Sequence, residues 1–425
     1  MYKMYLQDSE FSQLLDITDI CNDIQWSTSI LAQPGKLTFT IQKDPNNLVT
    51  LRNGDVVIFY SDIQNETFPI IAPKKDSKQY GFKGSIFSIK MDQQENYNVT
   101  CYDQLRYLQN HDYLNFGPIE KKYLTEDGTE ETIKEGNKVR DFFELIMTQA
   151  GFENYKVETL KIDYFGNRIP DDSDIPVGGE QLPQKVFYDV SYFEMFQWMI
   201  ETCLSSGIEK TFENASQAEK ESYEILASKG ILNSHYYVYD NFGTITLSRL
   251  KNEVTDLVIG DGSLMTEFNY ERSIEDLINE VIITTSYKRT LEEKESGMKN
   301  TEAREIVDAK QDVESVNRYG RLREIINIRN QTEMGINPDT QKEYTQEEWI
   351  KLAKDYMELY LKVHDRQKTS LKIKALGYDG IVAGKGVNIT IGKLKLNEVP
   401  MYVKTVTHSY SDGVHMMDLE VAWDN

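Results

Sequence analysis

Cysteine is scarce in this chain. Cys21, Cys101 and Cys203 are odd in number, far apart and form no CxxC pair. They read as reduced, buried thiols of a protein made in a cytoplasm. Histidine is nearly as rare, and none of His111, His235, His364, His408 and His415 falls in an HxH or HExxH pattern of zinc sites. No GxSxG nucleophile motif is present. No apolar run approaches the roughly 20 residues that span a bilayer, so no membrane anchor is expected. No basic stretch followed by an apolar core opens the sequence, which sets the expectation of a chain made without a secretory leader. Positive charge is also short: 47 Lys and Arg against 69 Asp and Glu give a formal net charge of −22. Such a surface repels nucleic acid and offers no footprint for a polyanion.

What is present is a long chain with real apolar content. At 425 residues and 40% hydrophobic side chains, it has material for about two to four domains. Its 26 tyrosines outnumber 17 phenylalanines and 4 tryptophans together. Tyrosine combines an apolar ring with a hydroxyl, which suits strand surfaces and subunit interfaces alike.

Residues 1 to about 112 read as β. Leu37, Phe39 and Ile41 alternate with Thr38 and Thr40 after a Pro34-Gly35 turn, and Asn53-Gly54-Asp55 is a turn before Val56–Tyr60, read as a strand buried on both faces. Residues 113–135 read as a polar connector. Val139, Phe142, Phe143, Ile146, Met147 and Ala150 then fall on one helical face, with Gly151 as the stop. Residues 152–185 read as an exposed loop. Ser191 and Glu194 form a capping box that opens a second helix, and a further helix is expected at about 215–229. Tyr236–Leu250 is a hairpin around Asp240-Asn241-Phe242-Gly243. From about 256 the pattern is β again, interrupted by a charged stretch at 291–312 read as an exposed loop or hairpin tip. A helix is capped by Thr345 and Glu348, with Trp349, Leu352, Ala353, Tyr356, Leu359, Tyr360 and Val363 on its stripe. A weak internal likeness between the two β sections suggests distant copies of one unit.

Each candidate chemistry has a plainer competitor. Gly380–Gly386 has the wrong glycine spacing for a phosphate loop, has Gly386 where magnesium needs a hydroxyl, and precedes a strand; it reads as a turn with Lys385 exposed. His408 and His415 flank the Ser411-Asp412-Gly413 turn and can meet across a hairpin, but without a third ligand they read as surface or hairpin-edge residues. Asp171, Asp172 and Asp174 lack calcium-loop spacing. Glu194 beside Phe193, Met195 and Phe196 is the most suggestive carboxyl for glycoside cleavage, and its capping role explains it better.

The segment Tyr97–Asn110 starts as a strand, with Val99 and Cys101 alternating, and switches to helical spacing at Leu105 and Leu108. It resembles the end of the first barrel in XkdQ-type baseplate hub proteins of contractile phage tails, relatives of the late-control D proteins. The resemblance continues in order through Lys138–Gly151, Val190–Leu204, the hairpin Tyr236–Leu247, Ile259–Leu264, the motif Asp312–Gly320 and the closing strands Tyr402–Val421.

The resemblance implies an α+β, mainly β fold. It implies a first tube-type β-barrel domain at 1–112, a connector plus α+β middle domain at 113–255, and a second tube-type barrel at 256–425 with a charged and helical insertion at about 291–370. It implies a structural hub whose homotrimer adapts a six-fold tail tube to a three-fold spike in a phage, prophage or bacteriocin particle. Expected partners are the spike protein, a tube or tube-initiator protein and other baseplate proteins, with DNA at most passing through an acidic lumen. The expected setting is synthesis in a bacterial cytoplasm and assembly into the baseplate. No catalytic residue, cofactor or metal site is expected. The alternative is a tail-associated cell-wall hydrolase.

Overall fold

The computed structural model describes residues 2–7, 14–30, 33–42, 50–61, 81–117, 119–124, 130–135, 138–161, 176–179, 182, 185–200, 236–250, 252–289, 301–328, 336–337, 342–343, 345–365 and 367–422. Two compact units are present: Met1–Asn269 with Leu371–Asn425, and Tyr270–Ser370.

The larger unit is organised by a 13-stranded sheet. Its path runs from Leu14–Asp16 through Lys3–Gln7, Val56–Tyr60, Gly81–Met91, Tyr97–Tyr102, Lys36–Ile41 and Cys21–Ser29. It then crosses to Leu396–Ser411, Val414–Ala422, Lys368–Leu376 and Met265–Ser273. Gly386–Ile391 pairs antiparallel with Leu396–Ser411 and parallel with Val254–Gly260. The strand period of two decides which residues go inside. In Lys36–Ile41 the apolar Leu37, Phe39 and Ile41 are buried while the threonines stay half-exposed. Val56–Tyr60 is a strand with only Val57 and Phe59 fully buried; Val56, Ile58 and Tyr60 are half-buried, which corrects the reading of two buried faces.

A second core in this unit gathers the helix Val139–Gln149, the helical residues 192–200, the strand pair His111–Phe116 with Lys185–Ser191, and the hairpin Tyr236–Asp240 with Ile245–Arg249. Of the expected helical stripe, Val139, Phe142, Phe143, Ile146 and Met147 are buried, while Ala150, at the C-cap, is only half-buried. Gly151 follows at φ +75°, the left-handed stop that glycine takes without penalty.

The segment Tyr97–Asn110 bridges the two cores. Val99 and Cys101 belong to the first, Leu105 and Leu108 to the second. Gln104–Gln109 is a 3-10 helix, in which i and i+3 eclipse, so Leu105 and Leu108 share a side. The hairpin loop is Phe242-Gly243, with φ +54° and +88°. Positive φ is costly for Phe; its ring is held 5.1 Å from that of Tyr60.

Several loop readings are revised. The connector 113–135 contains strands: His111–Phe116, and a ribbon of Ile119–Leu124 with Glu130–Glu135. A two-stranded ribbon satisfies its backbone across the pair and needs no apolar run to announce it. Within 152–185, Tyr155–Val157 is a strand parallel to Ile245–Arg249, and Val177 and Leu182 are buried. The aspartates at 171, 172 and 174 and the helix expected at 215–229 lie outside the described residues.

In the unit Tyr270–Ser370, the strand Glu280–Arg289 lies between Thr301–Gln311, antiparallel, and Arg323–Ile328, parallel. The charged stretch is therefore a strand from 301 to 311, and 291–300 lies outside the described residues. Its charges are absorbed by the helix Gln346–His364: Lys310 pairs with Glu358, and Lys354 with Asp308 at 3.7 Å. The Thr345–Glu348 capping box forms with both bonds. The buried stripe of that helix includes Ala353, Met357 and Leu361, the last two absent from the expected set. The motif Asp312–Gly320 is the short helix Val313–Tyr319, capped by Asp312. Asn279, fully buried, donates to Gly320 O at 2.8 Å and accepts from Leu322 N at 2.8 Å.

Candidate functional site

Ionisable residues singled out by the sequence gather at the seam between the N-terminal and C-terminal β sections. Cys21–Ser29 and Leu396–Ser411 pair antiparallel, from Ser29 opposite Thr405 to Ile24 opposite Tyr410. This register makes Leu396–Ser411 an interior strand, so His408 is completely buried and its ring stacks on Trp26 at 5.2 Å. The expectation of surface or hairpin-edge histidines is thus overturned for His408. Pairing with a strand nearly 400 residues earlier leaves no local trace in the sequence.

The two histidines do meet, as their flanking turn allows. His408 Nδ1 lies 2.9 Å from His415 Nε2, and His408 Nε2 lies 2.8 Å from Ile381 O. His415 Nδ1 faces Asp379 Oδ1 at 3.5 Å, and the Tyr410 hydroxyl donates to the same oxygen at 3.1 Å. Burial pushes His408 down to about 4, and burial with the neighbouring His408 pushes His415 down to about 3. The pair is neutral at pH 7 and serves to knit the seam. Among the described residues, no group of three or more His, Cys, Asp or Glu side chains could hold a metal ion.

Gly380–Gly386 is fastened into the same seam. Ala383 N donates to Thr28 Oγ1, Gly384 N to Val403 O, and Gly386 N to Glu253 O. Those amides are engaged within the fold, so no phosphate cradle exists there. Lys385 is not exposed as expected: its side chain is 11% accessible and lies 3.4 Å from Glu253, which Lys161 also approaches at 3.6 Å.

Glu194 sits at the start of the helical residues 192–200 with its carboxylate turned back on Ser191. Ser191 N and Oγ donate to Glu194 Oε2 at 3.0 and 2.7 Å, and Glu194 N donates to Ser191 Oγ at 3.2 Å. These bonds hold its carboxyl below the usual range, the opposite of what a glycosidase acid requires.

An open groove of about 380 Å³ crosses the sheet face, lined by Glu267, Lys372, Lys374, Thr407, Asp418 and Glu420 among others. Lys372 lies opposite Glu420 and Lys374 opposite Asp418, the arrangement of a solvated sheet face. Exposed aromatics gather elsewhere: Tyr113 and Tyr188, with ring centroids 5.1 Å apart, and Tyr107 beside Phe87 at 6.0 Å. Among the described residues no helix is long and apolar enough to cross a membrane.

The YQBQ-like family profile matches residues 24–127 and 223–422. No curated protein matches the sequence. Among solved structures, the 43 kDa tail protein of prophage MuSo2 from Shewanella oneidensis aligns over 99% of this chain and 98% of its own, with a TM-score of 0.51 at 11% identity. The tail protein from Neisseria meningitidis MC58 aligns over 99% and 96%, with a TM-score of 0.52 at 10% identity. The fold is α+β, mainly β, and is shared with these two tail proteins from end to end.

Proposed function

Because the chain belongs to the YQBQ-like family, we propose that it is a structural protein of a phage-type tail baseplate. The observation that carries this reading is the sharing of a tail-protein fold over 99% of the chain. In the fuller form of the proposal it is the hub: a homotrimer between a six-fold tube and a three-fold spike, with barrel domains at 1–112 and 256–425 and an α+β domain at 113–255. The seam between Cys21–Ser29 and Leu396–Ser411 supports a single rigid building block made from both ends of the chain. The net charge of −22 fits a lumen through which DNA passes without adhering. Its partners in this reading are two further copies, the spike, the tube or its initiator and neighbouring baseplate proteins. The assembly is a virion, a prophage product or a bacteriocin, made in a bacterial cytoplasm.

The alternative of a wall hydrolase loses its best residue, since Glu194 is held ionised by Ser191. Electron cryo-microscopy of the parent particle tests the proposal. Density for this chain at the tube–spike junction supports it; density confined to a peripheral appendage overturns it.

A further inference from the structure

The two cores of the larger unit meet at Asp103. This residue ends the strand Tyr97–Tyr102 and caps the 3-10 helix Gln104–Gln109. Both of its oxygens are engaged: Oδ2 accepts from Gly35 N at 2.7 Å and Oδ1 from Leu105 N at 3.0 Å. The tip of the hairpin Tyr236–Arg249 is seated beside it. Gln104 Nε2 donates to Gly243 O at 3.1 Å, and Phe242 lies against Tyr60. A second carboxyl, Asp240, comes with that tip. Its Oδ1 accepts from Gly243 N at 2.6 Å, while its Oδ2 is buried with no hydrogen-bond partner.

A buried carboxylate oxygen without a donor is costly when ionised, and a second buried carboxylate beside it adds repulsion. A proton removes both penalties. Each Asp103 oxygen already accepts a backbone amide, whereas Asp240 Oδ2 has no donor to offset its charge and gains most from the proton. We propose that seating of the 236–250 hairpin on the Asp103 turn is proton-linked: the Asp103–Asp240 pair holds one proton, carried on Asp240 Oδ2, and the joint loosens when that proton leaves.

Lys83, from the strand Gly81–Met91, and the amides of Gln104 and Gly243 face Asp240, and the amides of Gly35 and Leu105 face Asp103. Burial pushes Asp240 up to about 6, against the pull of Gly243 N–H, Lys83 and the Gln104 amide. Burial, and then the charge of Asp240, raise Asp103 as well, so the two carboxyls titrate as one pair. The folded value of Asp240 is raised, so its contribution is complete below the free value of 3.8 and is lost as pH rises through about 6. The hairpin is therefore held more tightly at pH 5 than at pH 8, whatever the assembly in which the chain works.

The test is hydrogen exchange of the amides at 241–249 in the full chain, wild type against Asp240→Asn, from pH 4 to pH 8. The ratio of protection factors cancels the intrinsic pH dependence of exchange and the titration of the histidines. That ratio, variant over wild type, is expected to rise by a factor on the order of fifty across this range. A ratio independent of pH overturns the proposal. Asp103→Asn is expected to lower protection at every pH by weakening two amide bonds; if it instead reproduces the pH-dependent gain, the assignment to Asp240 is wrong. In the wild-type chain, a carboxyl carbon resonance with a midpoint near pH 6 that vanishes in Asp240→Asn supports the proposal, and its absence contradicts it.

Discussion

His408 and His415 share a single hydrogen bond of 2.9 Å between Nδ1 of the first and Nε2 of the second. The carbonyl of Ile381 can only accept, so His408 Nε2 carries the proton and its Nδ1 is the acceptor. His415 must then donate from Nε2. Nitrogen chemical shifts are expected to report both rings as Nε2–H tautomers at pH 7. A His408 protonated at Nδ1 contradicts the arrangement.

The same pair makes the seam sensitive to acid. His408 is lowered from 6.5 to about 4 by burial, so its contribution is complete above pH 6.5 and is lost as pH falls through about 4. At 1.36 kcal/mol per pH unit, the His408 effect alone amounts to roughly 3 kcal/mol. Urea unfolding at pH 7, 5.5 and 4 checks this. A His408 ring signal that titrates near 6.5 in the folded chain would falsify it.

Gly384 is expected to tolerate no side chain. Its φ is +90°, and a Cβ there would lie 2.2 Å from the buried ring of Tyr237. Gly384→Ala should cost about 2–4 kcal/mol, combining backbone strain with overpacking. Denaturant midpoints measure it; a loss below about 0.5 kcal/mol would show that the loop can yield.

Asn279 holds the unit Tyr270–Ser370 together at one point. Its side chain binds Ser315 Oγ at 3.3 Å, Gly320 O and Leu322 N. Asn279→Ala empties a fully buried site and takes the Asn279 partner from the part-buried Gly320 O and Leu322 N, and is expected to cost about 1–3 kcal/mol. Limited proteolysis should then cut first within 270–370. An unchanged cleavage pattern counts against this role.

Glu194→Gln keeps a capping-box side chain and should leave the denaturant midpoint nearly unchanged. It is expected to leave any clearing of purified peptidoglycan unaltered. Clearing by the wild type that disappears in this variant would restore the hydrolase reading.

Local signals carried most of the secondary structure. The boxes Ser191–Glu194 and Thr345–Glu348, the stripe Val139 to Met147 and the hairpin at 240–243 all rest on residues within one turn of each other. What could not be read is non-local. The burial of His408 depends on Trp26, and the division of Tyr97–Asn110 between two cores depends on elements on both sides of it. Asp103 and Asp240 had no motif because capping aspartates are common; only their juxtaposition is unusual. The strand at 301–311 escaped notice because its charges are matched by a helix some 45 residues later.

In the role proposed for it, the chain assembles as a trimer. The most direct measurement is the solution mass of the purified full chain by multi-angle light scattering, alone and with its spike partner. Three copies per particle in either sample is the predicted result. A mass of 49.3 kDa for this chain in both, with no association at any concentration tested, contradicts the account.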